Sequence, residues 1–138
     1  MLRRRRKRCG WFVCGHGGFA GKPRQVHHFT IVETYDLDGV DNDWEYPRTT
    51  DGSDKGNTAL MRELSTWLHD PAENKLLTMA ITSGKYTGAV ASAIETECFD
   101  YVDWFNIMCY DSYLGWADKK PEDLPLEMLT ISYNYWVV

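Results

Sequence analysis

Residues Leu37-Asp38-Gly39-Val40-Asp41-Asn42-Asp43-Trp44-Glu45 decide how the chain reads. From Val40 onward the even positions (Val40, Asn42, Trp44) are apolar or neutral and the odd ones (Asp41, Asp43, Glu45) are acidic. A period of two is that of a β-strand, so one face of this strand is lined with carboxylates. Carboxylates at i, i+2 and i+4 stand about 6–7 Å apart per step. Like charges that close cannot all ionise freely, and at least one carboxyl is expected to hold its proton more tightly. A carboxyl protonated near neutral pH is what a general acid requires. A solvated edge strand would show the same alternation, but Leu37, Val40 and Trp44 argue for burial, and charges aimed into an interior mark functional sites.

Outward from this strand the chain alternates. Trp11–Val13 reads as a short strand before a glycine-rich turn, Gly15 to Lys22, and Val26 to Tyr35 as a short helix. After Pro47 comes a polar loop to Gly56. Asn57 can then cap a helix running to His69, with Leu60, Met61, Leu64, Trp67 and Leu68 on one stripe. Leu76–Ile81 is nearly continuous in apolar residues, as in a parallel-sheet strand buried on both faces. A small-residue helix is expected from about Gly88 to Glu97 and a strand at Phe105–Met108, with Tyr110 and Asp111 at its carboxyl end. Pro125 opens a last helix carrying Leu126, Leu129, Tyr133 and Trp136 on one face. Repeated βα units predict an α/β fold around a parallel sheet.

The 138 residues carry a net charge of -5, but six of the 15 basic residues lie at Arg3–Arg8. The remainder has nine positive against 20 negative charges, a net of -11. That surface suits no nucleic acid, whose affinity comes largely from phosphate neutralisation; an uncharged sugar polymer would tolerate it. The head, residues 1–10, is read as a disordered basic tail. Only Trp11, Phe12 and Val13 follow it before Cys14-Gly15, too short an apolar stretch for a secretory signal. No run approaches the roughly 20 apolar residues of a membrane span. Four cysteines and four histidines show no metal-ligand spacing, so no metal and no cofactor are expected.

Asp38-Gly39-Val40-Asp41-Asn42-Asp43-Trp44-Glu45-Tyr46-Pro47 resembles the DGxDxDxE signature of family 18 glycoside hydrolases, the chitinase family. Met108-Cys109-Tyr110-Asp111 resembles the MxYD element at the end of that family's sixth barrel strand, and Gly15-His16-Gly17-Gly18 more faintly resembles its SxGG. The resemblance implies that residues 11–138 are an incomplete catalytic barrel, a partial TIM (β/α)8 barrel with strands three to six and their helices. It also implies roles: Glu45 would protonate the glycosidic oxygen, Asp43 would hold the substrate's 2-acetamido group, and Asp41 would share a proton with Asp43. Asp38, with Gly39 in the same motif, would brace the strand. Tyr110 and Asp111 would contact the acetamido group, Met108 would line the pocket floor, and Tyr46 would flank it.

The implied activity is retaining, substrate-assisted hydrolysis of β-1,4-linked N-acetylglucosamine in chitin or its oligosaccharides. Two alternatives stand beside it: a non-catalytic, chitin-binding, lectin-like relative, and an endo-β-N-acetylglucosaminidase. Family relatives are commonly extracellular. Trp11, Trp67, Trp104 and Trp136 read as packing, with Trp116 the candidate for stacking on sugar. Asn42 stands where the family is usually apolar, and a buried amide there costs about 1–3 kcal/mol unless it finds partners. A complete barrel needs about 250 residues. Four parallel strands leave two open edges, so this chain alone is expected to fold poorly or aggregate.

Overall fold

A computed structural model describes residues 11–14, 31–84, 88–110 and 124–137. The basic head and the Gly15–Gly18 element lie outside the described residues. Four strands, β1 (Trp11–Cys14), β2 (Gly39–Asn42), β3 (Leu76–Thr82) and β4 (Trp104–Met108), form one sheet in sequence order, each parallel to its neighbours. Parallel neighbours need crossover connections. Between β2 and β3 this is α1 (Ser53–Leu68); between β3 and β4 it is the short α2 (Gly88–Ala91) and a 3-10 turn, Thr96–Asp100. Residues 31–35 are helical, and α3 (Leu124–Trp136) closes the described chain.

Alternation along the strands divides the sheet into two unlike faces. Val40, Leu77, Met79 and Ile81 are buried against Val32, Met61, Leu64, Leu68 and Cys98, with Phe105 and Ile107 partly buried at the margin. Burying one such large aliphatic side chain is worth about 1.5–3 kcal/mol. The register pairs Asp41 with Thr78 and Thr78 with Trp104, then Ala80 with Asn106 and Thr82 with Met108. These residues therefore share the opposite face. The apolar run of β3, broken only by Thr78 before Thr82 ends the strand, is buried along most of its length, as its composition predicts.

Asn42 faces the helices and is 1% exposed. It finds the partner its burial demands: its Nδ2 donates to Oδ1 of fully buried Asn57 at 2.9 Å. Asn57 is therefore no cap. Helix α1 starts at Ser53, behind a left-handed Gly52 (φ 76°). Asp51 Oδ1 accepts bonds from both the N–H and the hydroxyl of Ser53, whose Oγ in turn accepts the N–H of Arg48. That closed loop starts the helix five residues earlier, and Asn57 drops onto its inner stripe with Met61, Leu64 and Leu68.

Two other elements depart from expectation. The small-residue helix stops at Ala91, and residues 96–100 form a tighter 3-10 turn that seats Cys98 in the core; burial pushes its thiol pKa up. In α3, Leu126, Leu129 and Tyr133 are exposed, while Met128 and Ser132 are buried. Of the expected stripe only Trp136 turns inward, and the buried line steps back from it by four residues at a time to Ser132 and Met128. Trp136 Nε1 donates to the Thr82 carbonyl at 2.9 Å. Tyr135 lies where a side chain on Gly84 (φ 92°) would stand.

Replacing Asn57 with Leu should destabilise the chain by about 1–3 kcal/mol in urea unfolding, because the Asn42 amide is left buried and unpaired. The double variant Asn42→Leu/Asn57→Leu should recover part of that loss. The exposed apolar face of α3 and the outer edges of a four-strand sheet predict concentration-dependent association, read by sedimentation velocity. A monomer with a cooperative melt would contradict it.

Candidate active site

The amino ends of the strands are tied together first. Asp103 Oδ2 accepts the Leu77 N–H at 2.8 Å and lies 3.2 Å from His69 Nε2. Lys75 Nζ donates to the Leu37 carbonyl at 2.6 Å, and the Leu76 N–H donates to the Asp38 carbonyl. Gly39 is required by this closure: a Cβ there would sit 2.1 Å from the Leu76 carbonyl oxygen. Asp38 is half-buried beside it, and its Oδ2 is buried with no hydrogen-bond partner among the described residues.

Asp41 is the acidic residue within β2 itself. Its Oδ1 accepts the hydroxyl of Thr78 from β3 and the Nδ2 of Asn106 from β4, the latter at 3.0 Å. Asp41, Thr78, Trp104 and Asn106 line a cleft of about 380 Å³ on the face away from the helices. The period-two reading carried the strand through Glu45, whereas regular pairing ends at Asn42. Asp43, Trp44 and Glu45 run on past the carboxyl end of the strand, all half-buried, with Trp44 reaching toward Gly56 of α1. The Glu45–Tyr46 peptide is cis.

Tyr46 reports how the site converges. Its pKa is raised from 10.0 to about 12, first by a hydrogen bond with Glu45, then by burial, then by the charges of Glu45 and Asp43 and by Tyr110. Glu45, Asp43 and Tyr46 from the end of β2 therefore share one electrostatic neighbourhood with Tyr110, two residues beyond β4. Met108 ends β4, half-buried and opposite Thr82. Tyr110 is 58% exposed. Asp111 and Trp116 lie outside the described residues. Among the described residues no cluster of His, Cys, Asp or Glu could hold a metal, and no helix is long and apolar enough to cross a membrane.

Thr78 and Asn106 were not among the residues singled out from sequence. Their signal was present: each interrupts an apolar run on the phase that faces away from the helices. Trp67 and Trp136 pack against the core as expected. Trp104 does not. It is 44% exposed on the open face, and its Nε1 donates to Asn106 Oδ1 at 3.2 Å.

Residues 26–135 match the family model for glycosyl hydrolases family 18. The chain belongs to that family. Chitinase 63 of Streptomyces plicatus is 33% identical over 90 residues, covering 62% of this chain and 15% of the relative. Probable chitinase 2 of Drosophila melanogaster is 33% identical over 106 residues, covering 75% of this chain and 21% of the relative. A chitinase structure from Bacteroides thetaiotaomicron superposes with a TM-score of 0.57 at 24% identity, covering 78% of this chain and 31% of that one. The family 18 chain thus spans a small part of its relatives' length. Its sheet and helices are a piece of a TIM-barrel-type fold. In that fold the carboxyl ends of the strands carry the active site, which is where Asp43, Glu45, Tyr46 and Tyr110 gather.

Replacing Glu45 with Gln should lower the Tyr46 phenol pKa from about 12 toward its ordinary 10.0. The largest cause of the rise is the bond to Glu45, and a neutral amide accepts it more weakly and carries no charge. Ultraviolet titration of the phenols, compared with Tyr46→Phe to identify the signal, reads this directly.

Proposed function

We propose that the protein of which this chain is part is a chitinase-like hydrolase that cleaves β-1,4-linked N-acetylglucosamine in chitin or its oligosaccharides, with retention. The observation that carries the reading is the placement of Asp43, Glu45 and Tyr46 just past the carboxyl end of β2, with Tyr46 hydrogen-bonded to Glu45 and Tyr110 just past the same end of β4. Two carboxyl groups and two phenols from beyond the ends of β2 and β4, the strands on either side of β3, can serve as acid, as amide acceptor and as orienting donors.

In this reading β1 to β4 correspond to the third to sixth strands of the barrel, residues 11–138 to part of its catalytic domain, and the basic head to a separate tail. Glu45 gives its proton to the glycosidic oxygen as the bond to the anomeric carbon breaks. The substrate's own acetamido oxygen attacks that carbon from the opposite side, which is the substrate-assisted route. Asp43 accepts the acetamido N–H and stabilises the positive charge of the resulting oxazolinium. Asp41 shares a proton with Asp43 and tunes it. Tyr110 donates to the acetamido oxygen, with Asp111 on the same group and Met108 beneath it. Asp38 and Gly39 keep the start of β2 closed against β3, and Tyr46 fixes the Glu45 carboxyl. Water then attacks the anomeric carbon, Glu45 takes its proton, and the configuration is restored.

Replacing Glu45 with Gln should lower turnover of a fluorogenic chitobioside by roughly 10²–10⁴-fold while chito-oligosaccharide binding stays within about threefold, since only the proton is removed. Unchanged turnover sinks the assignment of the acid. Retention on chitin with no turnover by the unaltered protein would favour the lectin-like alternative. Release of whole glycans from glycoprotein would favour the endo-β-N-acetylglucosaminidase.

A further inference from the structure

The Asp41 carboxylate is held from two neighbouring strands at once. Thr78 Oγ1 and Asn106 Nδ2 both reach its Oδ1, and Trp104 Nε1 stands behind Asn106 and donates to the amide oxygen. Chemistry fixes the direction of this relay. An indole N–H can only donate, so it selects the oxygen end of the Asn106 amide and turns the NH₂ end toward Asp41. Reversing the amide would set N–H against N–H at Trp104 and oxygen against oxygen at Asp41. Thr78 is 1% exposed, and its hydroxyl has a carboxylate as its partner.

We propose that Thr78 and Asn106, with Trp104 orienting the amide, are positioning residues that hold the Asp41 carboxylate through Oδ1 and confine any proton it carries to Oδ2. An oxygen that already accepts two hydrogen bonds is the poorer place for a proton, because one donor would have to leave. Asp41 thereby presents a defined oxygen for the proton it exchanges within the acidic motif. It is also kept from rotating about its own side chain as charge develops at the neighbouring carboxyl. A preorganised group of this kind costs no reorganisation during the reaction. The catalytic half of this inference rests on the hydrolase reading given above; the clamp itself rests on the hydrogen bonds alone.

Two readouts separate these halves. The first is isotope-edited infrared spectroscopy of the full chain carrying labelled aspartate, with the Asp41 carboxylate band identified by its loss in Asp41→Asn. Thr78→Val and Asn106→Leu should each shift that band, because each removes one donor from Oδ1. Thr78→Ser should leave it in place, and Trp104→Phe should shift it less than Asn106→Leu. Far-UV circular dichroism checks that each variant keeps its fold. The second readout is chitobioside turnover. Thr78→Val and Asn106→Leu should each lower kcat roughly tenfold, in the range of one hydrogen bond to a charged group, with KM changed less than about twofold. Thr78→Ser should restore kcat.

An Asp41 band that stays fixed in both Thr78→Val and Asn106→Leu overturns the clamp whatever the kinetics show. Bands that shift while kcat does not overturn its role in the reaction and leave the clamp. If the bands shift and the unaltered protein neither binds nor cleaves N-acetylglucosamine oligosaccharides, the clamp stands and the hydrolase reading fails.

Discussion

A β-strand can offer the helices only one of its faces, and β2 commits Val40 and Asn42 to that side. Everything else about the site depends on this division. Val40 joins the aliphatic core, and Asn42 locks onto Asn57 of α1 by a buried amide pair. The bond fixes the rotation of α1 over β2 and β3, because among the described residues the Asn57 side chain has no other oxygen or nitrogen partner. Its remaining contacts are to the sulfur atoms of Met79 and Cys98 at 3.9 and 4.0 Å. With the helix side settled, Asp41 has to stand on the opposite face. A slip of one residue would bury the carboxylate and expose the core, so the register is specified by the residues on the helix side of the strand.

The motif's glycine belongs to the same constraint. Gly39 lies against the Leu76 carbonyl, where β2 and β3 close most tightly, and any Cβ would force them apart. Asp103, His69 and Lys75 draw the same ends together with hydrogen bonds. The amino ends of the strands are therefore closed and stapled, while the acidic residues lie toward the other ends. The stapled closure and the acidic residues occupy opposite ends of the sheet, an arrangement that suits the barrel architecture.

Most of this order was legible in the sequence, because alternation and apolar runs are local signals. The placement of Asp41 on the face of β2 opposite Val40 and Asn42, the buried run of β3 and the helical stripe of Met61, Leu64 and Leu68 follow from residue spacing alone, whereas the alternation overruns the strand, which ends at Asn42 before Asp43 and Glu45. Other features depend on contacts distant in sequence. Asn57 resembles a cap in the chain but is placed inside α1 by the Asp51–Ser53 loop upstream. Of the α3 stripe only Trp136 turns inward, tied to the Thr82 carbonyl 54 residues away, and the buried line runs back from it through Ser132 and Met128. Trp104 resembles core by composition, yet its phase in β4 puts it beside Asn106 on the open face. Thr78 and Asn106 are ordinary strand residues until the register aligns three strands and brings both to one oxygen of Asp41.

That alignment is hard to explain as a device for stability. An exposed or half-exposed hydrogen bond to a carboxylate contributes little to folding, and the polar cleft lined by Asp41, Thr78, Trp104 and Asn106 buries little apolar surface. A valine at 78 and a leucine at 106 would suit a sheet face awaiting a hydrophobic interior far better. What the polar set achieves is direction: the indole orients the amide, the amide and the hydroxyl select one oxygen, and in the proposed reaction the other oxygen is the one left for a proton. The carboxylate would remain on this face without its donors, since β2's register puts it there. Its two oxygens would then be equivalent, and a proton exchanged with the next acid in the motif would have no fixed origin.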